Sequence, residues 1–229
     1  MAGGLEGTAQ QVQVREKERD GQPPAAGQAA SDPYSDRGAG AQILKAAVEL
    51  FAEHGYEGVS MRELAARAGC SAANVYHHHR SKYDLFVTVV EASMMLHLAG
   101  LRAALATSDD PVEQLRAVLN HHLRLHMEHP EFRLLQFDFH PLKGEERRRF
   151  IEERDEYEHR LRAIVARGRE MGVLDVEDPK LALMVTLTGC TYLHGWYRPD
   201  GELSSVEIAR RVTDFVMAGF GVHRSSGAA

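Results

Sequence analysis

A chain of 229 residues with 44% hydrophobic content has enough apolar material for one or two domains with cores of their own. Its net charge of −6 disfavours a polyanionic partner overall, but residues 41–83 set five basic residues (Lys45, Arg62, Arg67, Arg80, Lys82) against four Glu, with His54, His77, His78 and His79 beside them. No apolar run has the length of a membrane span and no signal sequence opens the chain. Cys70 and Cys190 stand too far apart for a CxxC site or a disulfide framework, so a reduced, cytoplasmic protein without a membrane partner is expected.

Residues 1–37 read as a disordered arm, rich in Gly, Ala, Gln and Pro with few large apolar side chains. From Ala41 the pattern turns helical, with Ile43, Leu44, Ala47, Val48, Leu50 and Phe51 in one stripe that ends at Gly55. Residues 60–83 then lay out three helix starts. Ser60 with Glu63 and Ser81 with Asp84 have capping-box spacing, Ser71 is a third N-cap, and Gly69 suits the positive φ of a helix end. Each such cap is worth about 1 kcal/mol. The reading is a helix over 60–67, a tight turn, a helix over 71–77, and a longer helix from Ser81 to about Ala106. Short helices at this density are what a helix-turn-helix requires. The small N-terminal face of the middle helix suits close approach to base edges in a major groove.

Asp109-Asp110-Pro111 opens a further helix to about Glu128, where Pro130 breaks it, and 131–139 is short and aromatic. The segment 144–170 carries Phe150, Tyr157, Leu161, Ile164 and Val165 on one face. Asp178-Pro179 opens a nearly all-apolar helix to about Trp196, and Leu203 to Phe220 makes the last. No alternating strand pattern and no internal repeat appear, so the expected fold is all-α. The expected organisation is an arm (1–37), a helix-turn-helix domain (38–84), a larger helical domain (85–222) and a disordered tail (223–229).

Three phrases carry a resemblance: Leu50-Phe51-Ala52-Glu53-His54-Gly55-Tyr56, the stretch Ser60 to Ser71, and Tyr76-His77-His78-His79-Arg80-Ser81-Lys82-Tyr83-Asp84-Leu85. Over about 45 residues they are similar to the N-terminal domain of the TetR family of bacterial transcriptional repressors. His79 stands where that family has an aromatic ring, and a partly buried neutral imidazole is expected there. The resemblance implies that Tyr76 and His77 donate to DNA phosphates, with Lys82 adding a charge and a helix N-terminus. Ser60 and Arg62 then touch the neighbouring backbone. Ser71, Ala72 and Asn74 face the groove floor, Asn74 suited to adenine and Ala72 to a thymine methyl. The same serines would serve as caps in any helical protein.

For the C-terminal part the resemblance implies a ligand-binding and dimerisation domain whose last two helices pair across a two-fold axis. Gly195-Trp196-Tyr197-Arg198-Pro199-Asp200-Gly201 is similar to a segment of a TetR subgroup that responds to acyl-coenzyme A thioesters of fatty-acid or sterol breakdown. The expected ligand-binding residues are Tyr157, Tyr192, Trp196 and Arg198, with cations from Arg198 or Arg147-Arg148-Arg149 at the mouth of an apolar tunnel. The phrase also fits a helix end packed at the dimer seam, and the Arg run a solvated face. Partners are therefore a palindromic operator, a second copy and a small hydrophobic effector: an acyl-CoA or, failing that, a drug, lactone or flavonoid. His122 and His126 have the i, i+4 spacing of a zinc pair. Neither Met127, His97 nor the nearby acids completes an obvious third ligand, so no metal, no cofactor and no enzyme activity are expected. The competing readings are a helical metal-dependent hydrolase using those two histidines and a nucleoid protein indifferent to sequence.

Overall fold

The computed structural model describes residues 38–129 and 139–222. The arm 1–37, the tail 223–229 and nearly all of the aromatic stretch after Pro130 lie outside the described residues. Among the described residues there are eight α-helices and no strand. They are α1 (Ala39–His54), α2 (Met61–Arg67), α3 (Ala72–His78), α4 (Lys82–Thr107), α5 (Pro111–Glu128), α6 (Gly144–Glu170), α7 (Pro179–Thr191) and α8 (Ser205–Gly219).

The helix starts lie where the sequence places its caps. Ser60 and Glu63 close a full capping box, the Ser60 N–H donating to Oε2 of Glu63 at 2.8 Å. Oγ of Ser71 accepts from the Asn74 N–H at 3.1 Å. Ser81 departs from the expected reciprocity. Its Oγ accepts from the Asp84 N–H, but the Asp84 carboxylate takes the N–H of Arg80, one residue before the cap. Gly69 has φ +66°, the left-handed geometry that ends α2. Asp110 and Asp178 cap α5 and α7, each with a proline in the first turn. The expected single helix from Pro179 to Trp196 stops at Thr191 and tightens into a 3-10 turn, Tyr192–Gly195. The Thr191 hydroxyl donates to the Leu187 carbonyl, a back-bond that competes with the α-helical ladder at that point.

Three apolar clusters hold the chain together. The first joins α1, α2, α3 and the N-terminal half of α4, and takes in Leu142 and Phe150 from the start of the C-terminal part. Its centre is aromatic: Phe51 and Tyr56 each lie against Phe86, at centroid distances of 5.7 and 4.9 Å. The second joins α4, α5, α6 and α7 through Leu101, Leu119, Leu161, Ile164 and Leu183. The third packs Leu123 and Met127 of α5 against Leu193 and Ile208. Helix α5 is the hub, touched by α4, α6, α7 and α8. Contrary to the expectation from sequence, α4 is long and apolar enough in composition to cross a bilayer. It buries Leu85, Phe86, Val89, Val90, Met94 and Leu101 in the two larger clusters, so that hydropathy belongs to a core helix.

Candidate DNA-contacting face and C-terminal interior

Val75 anchors α3, fully buried between α1, α2 and α4. Helical geometry then turns Tyr76 and His77 outward, while Ala72 packs against the same cluster. Tyr76 is 54% exposed and Ser71 and His77 are exposed, while Ala72 and Asn74 are half-buried. Ser60 and Arg62 are exposed at the start of α2. Seven of the eight expected contact residues thus share the α2–α3 unit; Lys82 opens α4. His78 is also exposed but lies beside α1: a Cβ built at Gly40 would lie 3.4 Å from its Nδ1.

Two cations of this domain are engaged within the protein. Lys82 donates to the Tyr56 carbonyl at 2.9 Å, lies 4.4 Å from the Tyr56 ring centre, and is only 23% exposed in its side chain. Its ammonium is thus held by the turn after α1, which leaves the α4 N-terminus as the feature open to an anion. The guanidinium of Arg67 bonds Glu49 and Glu53 of α1 at 3.1 Å each, a cross-helix bridge that sequence spacing did not reveal. That bridge holds the Glu53 carboxyl below its ordinary range. Lys45, Arg62 and Arg80 are exposed and make no ion pair among the described residues. His79 is partly buried as expected, and burial lowers its basicity despite Asp84 at 3.5 Å.

The four expected ligand-binding residues do not converge. Tyr157 lies buried in α6, facing the interior between α4 and α5. Tyr192 and Trp196 are exposed around the 3-10 turn, and the Arg198 guanidinium folds back to the Tyr197 carbonyl. The arginine run is also spent. Arg148 pairs with Glu145 and Glu152, Arg149 with Glu91 and Glu153, and Arg147 lies over the Phe139 ring. It is an ion-paired helix face rather than a cationic mouth. A groove of about 420 Å³ between α5 and α8 is lined by Glu113, Arg116, His121, Arg124 and Arg210, and its arginines are likewise ion-paired, with Asp214, Glu128 and Glu207.

The interior beside Tyr157 is polar where an apolar tunnel was expected. His97 of α4 and His122 and His126 of α5 are all buried, and their ring centroids are 4.5–5.4 Å apart. Nδ1 of His122 lies 3.2 Å from the Tyr157 hydroxyl, while its Nε2 has no hydrogen-bond partner. Burial disfavours the charged form of two of these rings: it pushes His97 well below its ordinary range and His122 down to about 3. It also raises Tyr157, and pushes Cys190 nearby up to about 12. An unsatisfied buried polar atom costs roughly 1–3 kcal/mol, so apolar side chains would fill this space more cheaply. Sequence spacing exposed His122 and His126 but not His97, which lies 25 residues before His122 on another helix.

Comparison with known proteins supplies the family. Residues 43–89 match the description "Bacterial regulatory proteins, tetR family", and residues 108–220 match "Tetracyclin repressor-like, C-terminal domain". The transcriptional activator FasR of Mycolicibacterium smegmatis is 38% identical over 78 residues, 34% of this chain and 36% of that protein. The transcriptional repressor SCO4008 of Streptomyces coelicolor is 31% identical over 159 residues, 69% of this chain and 78% of that protein. The structure of AibR in complex with isovaleryl coenzyme A and operator DNA aligns with a TM-score of 0.70 at 26% identity, covering 79% of this chain and 98% of that one. Matches over both the helix-turn-helix and the C-terminal helices, and a relative of this identity and coverage, establish that the chain belongs to the TetR family of bacterial regulatory proteins.

Proposed function

We propose that the protein is a transcriptional repressor that binds a palindromic operator as a homodimer through α2 and α3, and whose affinity for that operator is set by an acyl-CoA. The observation that carries the DNA-binding part is the geometry of α3: one buried anchor, Val75, beneath an exposed row of Ser71, Tyr76 and His77. Arg62 and Arg80 supply unpaired charge on the same domain. Phosphate contacts of this kind fix register, and in this reading the half-buried Ala72 and Asn74 read base edges. The reading assigns the chain no catalytic step.

Dimerisation rests on the outer faces of α7 and α8. Leu181, Met184 and Val185 of α7 and Val206 of α8 are more than half exposed, and Phe215 of α8 is 80% exposed. Large apolar side chains left in water on two adjacent-in-sequence helices favour a self-complementary partner. Two-fold pairing through them sets the spacing of the two α3 helices, which must be about 34–36 Å to enter successive major grooves. Tyr192 and Trp196, exposed beside α7, then serve the dimer seam or the effector's entrance together with Arg198. Tyr157 belongs to the interior.

The acyl-CoA part is motivated by the Trp196-Tyr197-Arg198-Pro199 phrase and by AibR, solved with isovaleryl coenzyme A and operator DNA. A ligand that favours one spacing of the α3 helices shifts operator affinity by the differential, typically about 1–3 kcal/mol. The expectation from sequence is release. A second reading is that the acyl-CoA holds the protein on DNA, and the AibR complex, which contains both ligands, favours considering it. The test is fluorescence anisotropy on an operator selected from random duplexes, titrated with isovaleryl-CoA and palmitoyl-CoA. A 5- to 150-fold weakening supports release and an equal tightening supports the second reading. No change with either thioester removes the acyl-CoA assignment, and failure to select any operator removes the DNA-binding one.

A further inference from the structure

We propose that His97, His122 and His126 form a binding site for one divalent transition-metal ion of the zinc class, between α4, α5 and α6. One ring nitrogen from each lies within 4.8 Å of the other two, and all three side chains are more than nine-tenths buried. His122 and His126 are one helical turn apart, so their rings leave the same face of α5. His97 meets them from α4, its ring 5.2 and 5.4 Å from theirs.

The chemistry of the donors selects the ion. Three imidazole nitrogens without a carboxylate suit zinc, cobalt, nickel or copper, and not magnesium or calcium, which take oxygen ligands. Ligand nitrogens around a tetrahedral zinc sit about 2.0–2.1 Å from the metal, so they lie roughly 3.3 Å apart. Modest ring rotations close the present spacing. Tyr157 is placed as a positioning residue. When Nδ1–H of His122 donates to its hydroxyl oxygen, the lone pair of Nε2, which has no hydrogen-bond partner, is left for the metal.

Three neutral ligands leave the full double charge of the ion inside a buried site, and leave a fourth position open. An anionic group, either hydroxide or a carboxylate, thiolate or enolate carried by a small molecule, is the occupant that this charge requires. The site is independent of the DNA-binding reading, since none of its residues belongs to the helix-turn-helix.

The experiment uses untagged full-length protein, stripped with chelator and titrated with cobalt(II) and then zinc(II). One equivalent of cobalt giving the intense visible bands of a tetrahedral site, displaced by one equivalent of zinc, is the expected result. In competition with a chromogenic chelator, His97→Gln, His122→Gln and His126→Gln should each weaken zinc binding at least 100-fold. Tyr157→Phe should weaken it 10- to 100-fold, and the surface variant His159→Gln should leave it unchanged. If the histidine variants fold poorly, zinc should still raise the melting temperature of the wild type. No tetrahedral cobalt spectrum together with no zinc-dependent melting shift overturns the proposal. So does uptake that the three histidine variants leave unaltered, which would place the metal on the exposed His77-His78 pair. Operator binding measured on the same stripped samples separates a failure of this site from a failure of the DNA-binding reading.

Discussion

The ammonium of Lys82 lies 2.9 Å from the carbonyl oxygen of Tyr56 and 4.4 Å from the centre of its ring, which ties the first residue of α4 to the turn after α1. The same ring packs on Phe51 and Phe86, so one lysine closes the aromatic centre of the N-terminal cluster. Lys82→Ala removes a charged hydrogen bond and a cation–π contact at a partly exposed site. A loss of about 1–2 kcal/mol is expected in urea unfolding. Because the ammonium is already engaged, the dependence of operator affinity on salt should keep its slope. A phosphate contact would lower that slope by about 1, and such a drop would return Lys82 to the DNA face.

Tyr76 and Asn74 sit two residues apart on α3 and are expected to fail in different ways. Tyr76→Phe deletes one neutral hydrogen bond to a phosphate, so affinity should fall by about 1 kcal/mol on every duplex alike. Asn74→Ala should instead erase about 1–3 kcal/mol of preference at one base position. Anisotropy titrations against operators substituted one base pair at a time distinguish the two. Unchanged affinity in either variant takes that residue off the contact face.

Gly100 of α4 gives way to the imidazole of His121, which bonds the Leu96 carbonyl at 3.2 Å. A Cβ there would lie 1.9 Å from Cδ2 of His121. Gly100→Ala should therefore cost about 1–3 kcal/mol by overpacking the α4–α5 contact. His121→Ala in the same chain should recover most of that loss, and a double-mutant cycle showing simple additivity would refute the clash.

Cys190 is buried, and burial pushes its thiol up to about 12, whereas Cys70 is half-buried beside the first cluster. The thiolate is the reactive form, so at pH 8 almost none of Cys190 is available in the folded protein. Ellman's reagent should label one thiol readily and the second only on unfolding in guanidinium. Rapid labelling of both thiols in buffer would mean that the α7 environment is open.

Much of the N-terminal unit was legible because its signals are local. Ser60, Ser71 and Ser81 act on backbone N–H groups three residues away, and Gly69 answers a steric demand within its own residue. Even there, locality had limits. The carboxylate of Asp84, at capping-box spacing, takes the N–H of Arg80 rather than that of Ser81, and α7 tightens into a 3-10 turn after Thr191. The candidate ligand residues were less legible. Tyr157, Tyr192, Trp196 and Arg198 share a plausible chemistry, but the fold sends the first inside and leaves the others at an exposed turn.

Periodicity, caps and charge spacing within a few residues were sufficient to determine an all-α chain with a helix-turn-helix after its first long helix, and the resemblance carried by the same residues added the expected roles of Ser71, Asn74 and Tyr76. Packing between distant helices decided the rest. Arg67 bridges to Glu49 and Glu53, Lys82 turns to Tyr56, and His97 joins His122 and His126 only because α4 and α5 lie side by side. The reason is physical. A helix start depends on groups a turn away, whereas the direction of a cation or the company of an imidazole depends on which surfaces meet when the apolar stripes are buried.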